Sequence, residues 1–265
     1  MAGSFRFCSL SSSSVFGNSY YVETPDGVRL LLDCGVPLRR LERCLAIIGV
    51  EPSSVTALFI THGHRDHTAA LDLKHPFAQR YRIPVYATGG FWRTSGAKTH
   101  LEPDLRRHVV PGRPVDLGRC RVEPFLKPHD AAEPVGYTVR SSGRALSIAT
   151  DLGCVPESVS DAVKDSDYLI LESNHDRDME LNSGRSRRLI ERVLSDVGHL
   201  SNDQAARALS RVVSRRTRLV LLSHLSIECN TPDLALRAAR AALSPRCDTV
   251  IEVAPPDRPS RVFSY

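Results

Sequence analysis

Hydrophobic residues along the chain come in short runs that end in polar ones, and their period shifts repeatedly between two and three-to-four. Those periods separate strands from amphipathic helices. Residues 5–8, 20–23 and 28–33 predict three strands, the last two joined by Thr24-Pro25-Asp26-Gly27, a turn sequence, as in a β-meander. Leu38, Leu41, Leu45 and Ile48 then recur at helical spacing, with Pro37 at the start and Gly49 past the end, which predicts a helix over 37–48. Further strands are expected at 57–60, 85–87, 135–139, 145–151, 168–171, 218–222 and 249–253. Helices are expected at 77–81, at 157–164, within 184–194, from Ser201 to Val213 and from Thr231-Pro232 onward. Ser201 and Gln204 have the spacing of a capping box. Residues 109–125 carry short strand signals broken by prolines, and 89–108 show no clear period. Strands come first, then strands mixed with helices, twice over. That order predicts two sheets packed together with helices outside, as one α/β domain over residues 1–265.

Several of these runs end in residues that bind metals. The run 57–60 leads into Thr61-His62-Gly63-His64-Arg65-Asp66-His67. Histidine nitrogens and a carboxylate suit a borderline divalent ion. A solvated polar loop is the ordinary alternative, but three histidines and an aspartate within six positions are hard to explain that way. His129, Asp151 and His224 also follow apolar or extended segments. Strand ends along one edge of a sandwich can assemble a site from distant parts of a chain. Two ions about 4 Å apart need roughly six or seven protein ligands, one carboxylate being shared. His62, His64 and His129 suit one ion, Asp66, His67 and His224 the other, and Asp151 the bridge. Such donors accept zinc or manganese, and iron as well.

Other positions carry more than one reading. Asp33 ends a strand; capping the next helix ranks ahead of orienting a metal-binding histidine. The stretch Ser9-Leu10-Ser11-Ser12-Ser13-Ser14 reads as a loop, either a plain connector or, through Ser11, a rim of hydroxyls towards an anionic substrate. His199 precedes a capped helix, which suits a phosphate contact or a proton donor to a leaving group. His175, at another strand end, suits substrate contact or support of the site. His100 and His108 read as surface residues.

Composition narrows the classes. No run is long enough to span a membrane as a helix, and Met1-Ala2-Gly3-Ser4-Phe5-Arg6 lacks the pattern of a secretory signal. Seven cysteines without a Cys-x-x-Cys pair argue against a disulfide framework and against a thiolate zinc site, so a reducing cytoplasm is the expected compartment. A net charge of +5 is compatible with a polyanionic substrate without pointing to one. Arg185-Ser186-Arg187-Arg188 and the arginines over 211–218 could follow a phosphodiester backbone, although such runs are ordinarily solvated helix faces. Aromatic residues are sparse, so base stacking is not evident.

The Thr-His-x-His-x-Asp-His loop, the later His129, the Ala149-Thr150-Asp151 strand end and Ser223-His224 together resemble the metallo-β-lactamase superfamily. Its YycJ/WalJ-type branch, described as bacterial 5′–3′ exonucleases on DNA, is closer still. The branch resemblance rests on His129-Asp130-Ala131-Ala132-Glu133-Pro134, Leu171-Glu172-Ser173-Asn174-His175-Asp176, Gly198-His199-Leu200-Ser201-Asn202 and His224-Leu225-Ser226. It implies a four-layer αββα sandwich, a dinuclear site at one edge and a nucleic acid substrate, DNA in particular; no protein partner is implied. Two departures stand out: Gly63 and Arg65 where the branch tends to carry Glu and Ser, and Arg185-Ser186 where it has a Tyr-Pro pair. Arg65 adds a charge at the mouth. Two rival functions share this fold: hydrolysis of a small ester or thioester, and nucleic-acid binding without catalysis.

Overall fold

Successive side chains of a strand point to opposite faces, and in the N-terminal strands both faces are apolar, as a sheet covered on both sides requires. A computed structural model describes residues 4–244 and 247–265; Met1-Ala2-Gly3, part of the stretch read for a leader, lies outside them. The first sheet begins with β1 (Arg6–Ser13), β2 (Gly17–Glu23) and β3 (Arg29–Leu32), an antiparallel meander. β4 (Ala57–Phe59), β5 (Val85–Thr88) and β6 (Arg106–Val109) continue it in parallel. In the second sheet, β7 (Val115–Leu117), β8 (Cys120–Leu126), β9 (Val135–Ser141) and β10 (Arg144–Ala149) run antiparallel. There β11 (Tyr168–Glu172), β12 (Leu219–Ser223) and β13 (Val250–Val253) run parallel to β10. β14 (Phe263–Ser264) returns to pair with β1, so each sheet has seven strands among the described residues.

Three apolar layers hold the sheets and helices together. Phe7, Tyr20, Leu32 and Phe59 of the first sheet meet Tyr137, Ile148, Tyr168 and Leu221 of the second. Outside the first sheet, α1 (Leu38–Ile47) buries Leu41 and Leu45 in the layer that holds Leu31 and Leu58. The short helices α2 (Arg65–Thr68), α3 (Phe77–Arg80) and α4 (Gly89–Arg93) follow on that side of the chain. Outside the second sheet lie α5 (Glu157–Val163), α8 (Asn202–Val212) and α9 (Pro232–Ala242), while α6 (Arg177–Leu181) and α7 (Arg187–Val193) come between β11 and α8 in the chain. Of these, α8 and α9 press Ala205, Leu209, Ala235 and Ala239 towards Leu171, Val220 and Leu222. The result is the expected αββα sandwich.

Two expectations are corrected. Residues 9–13 are not a loop but the second half of β1, buried between neighbours, with a bulge between Ser9 and Ser11. Buried serines pair their hydroxyls with each other and with backbone groups, so their polarity does not expel the strand from the core. Asp33 does not cap α1, whose N-cap is Pro37 with no side-chain bond. The patternless 89–108 becomes α4, two turns of 3-10 helix and β6, with His100 and His108 exposed as expected.

The topology brings the carboxyl ends of β3, β4, β10, β11 and β12 to one edge, the usual ligand edge of parallel strands. Asp33 and His224 come directly after β3 and β12, and Asp151 follows β10 after Thr150; all three have left-handed backbone, with φ of 62°, 58° and 56° for Asp33, His224 and Asp151. Such conformations cost roughly 1 kcal/mol or more each in non-glycine residues and cluster at functional sites. Gly35 lets the loop after β3 lie directly on α2. Cys34 N–H donates to His67 O at 2.9 Å, and a Cβ on Gly35 would sit 1.6 Å from Asp66 O. Neither backbone segment can yield without moving the histidine loop. Gly35→Ala is expected to cost about 3 kcal/mol of stability, measured by urea denaturation against the wild type; an unchanged midpoint would contradict this packing.

Candidate metal centre

β4 ends in Phe59, and the chain after it carries His62 and His64 inward before α2 presents Asp66 and His67 on its first turn. His62 Nε2 and His129 Nε2 each lie 3.1 Å from His64 Nδ1. Nitrogens bound tetrahedrally at about 2.0 Å to one ion would stand about 3.3 Å apart. Asp66, His67, Asp151 and His224 form a second group, with His67 Nε2 3.2 Å from Asp151 Oδ2 and 3.6 Å from Asp66 Oδ2, and His224 Nε2 3.7 Å from Asp66 Oδ2. Asp151 Oδ2 and His224 Nε2 are buried without an aligned hydrogen-bond partner among the described residues. Buried polar atoms left open in this way, pointing at other ligand atoms, fit a site for cations.

Each inner histidine is turned by a bond on its far side. Asp33 Oδ2 contacts His67 Nδ1 at 2.7 Å while accepting from Thr61 Oγ1 and, through Oδ1, from Thr61 N–H. His129 Nδ1 faces the carbonyls of Val197 and Gly198 at 3.1 and 3.3 Å. Glu172 Oε1 accepts from both His224 Nδ1, at 2.7 Å, and His199 Nδ1, at 2.9 Å. Bonds of this kind fix the ring and leave the opposite nitrogen to a metal. Asp33 therefore orients a histidine, the reading ranked second in the sequence.

Electrostatics separates the two groups. Burial drives His62 well below the usual histidine range and His129 down to about 3, so both are neutral near pH 7. Burial also lowers His64. Burial would depress His67 as well, but Asp151, Asp33 and Asp66 outweigh it and raise it to about 10. His224 is raised in the same way, against burial, by Asp151, Asp66 and Glu172. Glu172, which burial would raise, is pulled down to about 2 by His199 and His224.

Glu172 was passed over in the sequence, where it was one letter of a motif. In the structure it is fully buried and its four partners come from three segments: Leu152 N–H, Leu200 N–H, His199 and His224. A carboxylate at the end of an apolar strand, as at Asp33 and Asp151, was the available signal. Lys127 was also missed: it is buried, its Nζ donates to Thr150 O beside Asp151, and burial lowers its pKa. So was Asn18, whose Nδ2 donates to Asp66 Oδ2 at 3.2 Å.

His199 sits at the rim, 3.9 Å from Asp151 Oδ1, its ring 5.4 Å from that of His129 and 5.2 Å from that of His224. The capping box of α8 is present, with Ser201 and Gln204 bonded both ways. Two expected contacts fail. Ser11 is fully buried in β1, its hydroxyl donating to Pro256 O, so it cannot line a substrate rim; Ser12 instead accepts from His224 N–H. His175 is also fully buried, with neither ring nitrogen hydrogen-bonded among the described residues, and cannot touch a substrate. Of the basic segment, Arg185 is held by Glu180 and Glu228, not presented to solvent as a free cation.

A family model described as "Beta-lactamase superfamily domain" matches residues 28–224. The chain is 35% identical over 235 residues to "Exodeoxyribonuclease YycJ" of Bacillus anthracis, covering 87% of this chain and 86% of that protein. It is 32% identical over 234 residues to "Exodeoxyribonuclease WalJ" of Streptococcus pneumoniae, covering 87% and 85%. The crystal structure of the metallo-beta-lactamase fold protein YhfI from Bacillus subtilis superposes with a TM-score of 0.75 at 16% identity, over 99% of this chain and 100% of that one.

The charge contrast predicts how ions enter. Histidine must be neutral to bind a metal. An ion taken by His62, His64 and His129 displaces no proton near pH 7, whereas one taken by the His67 group does, and its affinity rises with pH up to about 10. Calorimetric titration of metal-free protein in two buffers of different ionisation enthalpy should show about one proton or more released in one binding step only. Release in both steps, or in neither, would contradict the assignment.

Proposed function

The chain belongs to the beta-lactamase superfamily domain family, and from that premise we propose that it is a metal-dependent nuclease that hydrolyses phosphodiester bonds from the ends of DNA. The exodeoxyribonuclease relatives, each matched over 87% of this chain, support the reaction class. The observation that carries the reading is structural: His62, His64 and His129 form one group of candidate ligand atoms and Asp66, His67, Asp151 and His224 a second, with His199 held beside Asp151 by Glu172. We assign His62, His64 and His129 to one divalent ion, Asp66, His67 and His224 to a second, and Asp151 to both, with zinc or manganese as the expected ions. Attack in the 5′-to-3′ direction follows the branch resemblance. We read the whole chain as one domain, because the core between the sheets draws side chains from both halves.

Divalent ions in such a centre lower the pKa of water towards neutrality and balance charge on a phosphoryl oxygen. The chain's own part is positioning and proton transfer. Asp33 and Glu172 hold His67 and His224 so that each turns Nε2 inward. Asn18 steadies the Asp66 carboxylate. His199 keeps Nδ1–H on Glu172, so a proton on Nε2 can pass to the leaving oxygen as the P–O bond breaks. Arg192 is bidentate to Asp130, which adjoins His64 and His129, and so places a cation near the first ion's ligands.

Asp66→Ala or His67→Ala should abolish hydrolysis of end-labelled DNA while circular dichroism stays native. Full activity in a metal-stripped sample of either variant would overturn the reading. His199→Ala should keep its metal and lose about 10²–10⁴-fold on DNA. Its loss on bis(p-nitrophenyl) phosphate, whose leaving group needs no proton, should be far smaller; equal losses on both substrates would remove His199 from proton transfer. Cleavage polarity is read from the products of 5′- and 3′-labelled single and double strands, with RNA as the comparison.

A further inference from the structure

The tip of the β1–β2 hairpin carries two exposed apolar side chains, Val15 at 70% and Phe16 at 37% exposure. Both line a cavity of about 460 Å³ that also takes in Pro37, Arg40, Arg65 and Asp66. Asp66 belongs to the second ligand group, so the cavity adjoins the candidate metal centre at that residue. The hairpin tip is pinned. Arg40 from α1 places its guanidinium 5.1 Å from the Phe16 ring centroid, donates to Phe16 O and Asp257 O, and so holds the ring in place. Arg65 is exposed and makes no ion pair among the described residues. Its neighbour Asp66 has its carboxylate turned to Asn18, His67 and His224, not to Arg65. An unpaired cation and a fixed aromatic ring therefore share one cavity beside the metal-binding carboxylate.

We propose that this cavity is the subsite for the nucleotide flanking the phosphodiester that is cut: the base packs on Phe16 and Val15, and Arg65 pairs with the adjacent phosphate. The proposal rests on the nuclease reading and specifies where that substrate lies. A nucleotide combines an apolar π-face with an anion, the two features this cavity offers. Stacking on an aromatic side chain tolerates every base, which suits an enzyme that removes nucleotides in succession. Sparse aromatics along the chain do not exclude stacking when one ring is rigidly held at the site.

The test compares kcat/KM for a short end-labelled oligodeoxynucleotide with kcat/KM for bis(p-nitrophenyl) phosphate, which has no flanking nucleotide. Wild type, Phe16→Ala, Phe16→Tyr, Arg65→Ala and a surface control, Arg121→Ala on β8, are measured side by side. Phe16→Ala and Arg65→Ala are expected to lower the oligonucleotide-to-diester ratio about tenfold, chiefly through KM. Phe16→Tyr should hold most of it. Arg65→Ala should also flatten the salt dependence of oligonucleotide KM by about one counterion. The control should do neither. Wild type that cleaves DNA while both alanine variants keep the ratio, or an equal drop with Arg121→Ala, overturns the subsite alone. Wild type that cleaves the diester but leaves every oligonucleotide intact overturns the nuclease reading, and the subsite with it.

Discussion

Glu172 is a fully buried carboxylate, and the edge of the sandwich depends on how its charge is satisfied. A buried anion is tolerated only when hydrogen bonds and opposite charges replace water. Glu172 accepts Leu152 N–H next to Asp151, Leu200 N–H next to His199, and the Nδ1 atoms of His199 and His224. Three chain segments from three strand or helix ends are thereby tied to one side chain. The left-handed turns at Asp151 and His224 persist in part because these bonds define where each turn must end. Asp33 does the same on the other sheet, joining Thr61 to His67. The two sheets thus contribute one buried orienting carboxylate each, and the candidate ligands lie between them.

The same charges divide the centre into unlike halves. The three-histidine group is desolvated and neutral, ready for an ion. The other group holds its protons against carboxylates, and those protons stand where a cation would stand. Without an ion, protonated His67 and His224 balance Asp66 and Asp151. The fold therefore has a coherent charge state with or without metal, which is consistent with a preformed site.

Much of this was legible from the chain. Four candidate ligands are adjacent in sequence, and His129, Asp151 and His224 follow from strand ends that the apolar runs mark. The two-sheet sandwich followed from the order of periods. What failed did so for identifiable reasons. An aspartate between a strand and a helix has the same sequence signature whether it caps the helix or orients a histidine, so Asp33 was ranked wrongly. Serine runs suggest loops, yet a strand buried among hydroxyl partners, such as Ser12 with Tyr20 and Ser223, is just as polar. His175 obeyed the strand-end rule, but the chain there turns it into the interior instead of the cleft. Glu172 carried the same strand-end signal as Asp33 and Asp151, but its importance lies in four partners distant in sequence.

The proposed reaction, cleavage of DNA at this centre, depends on divalent ions. The most direct measurement is hydrolysis of end-labelled DNA by chelator-treated protein as Mn²⁺ or Zn²⁺ is returned, with ion content read on the same samples. No cleavage is expected without metal, and a plateau is expected at about two ions per chain. Cleavage by the metal-free sample, or an ion-saturated sample that leaves DNA intact, would contradict it.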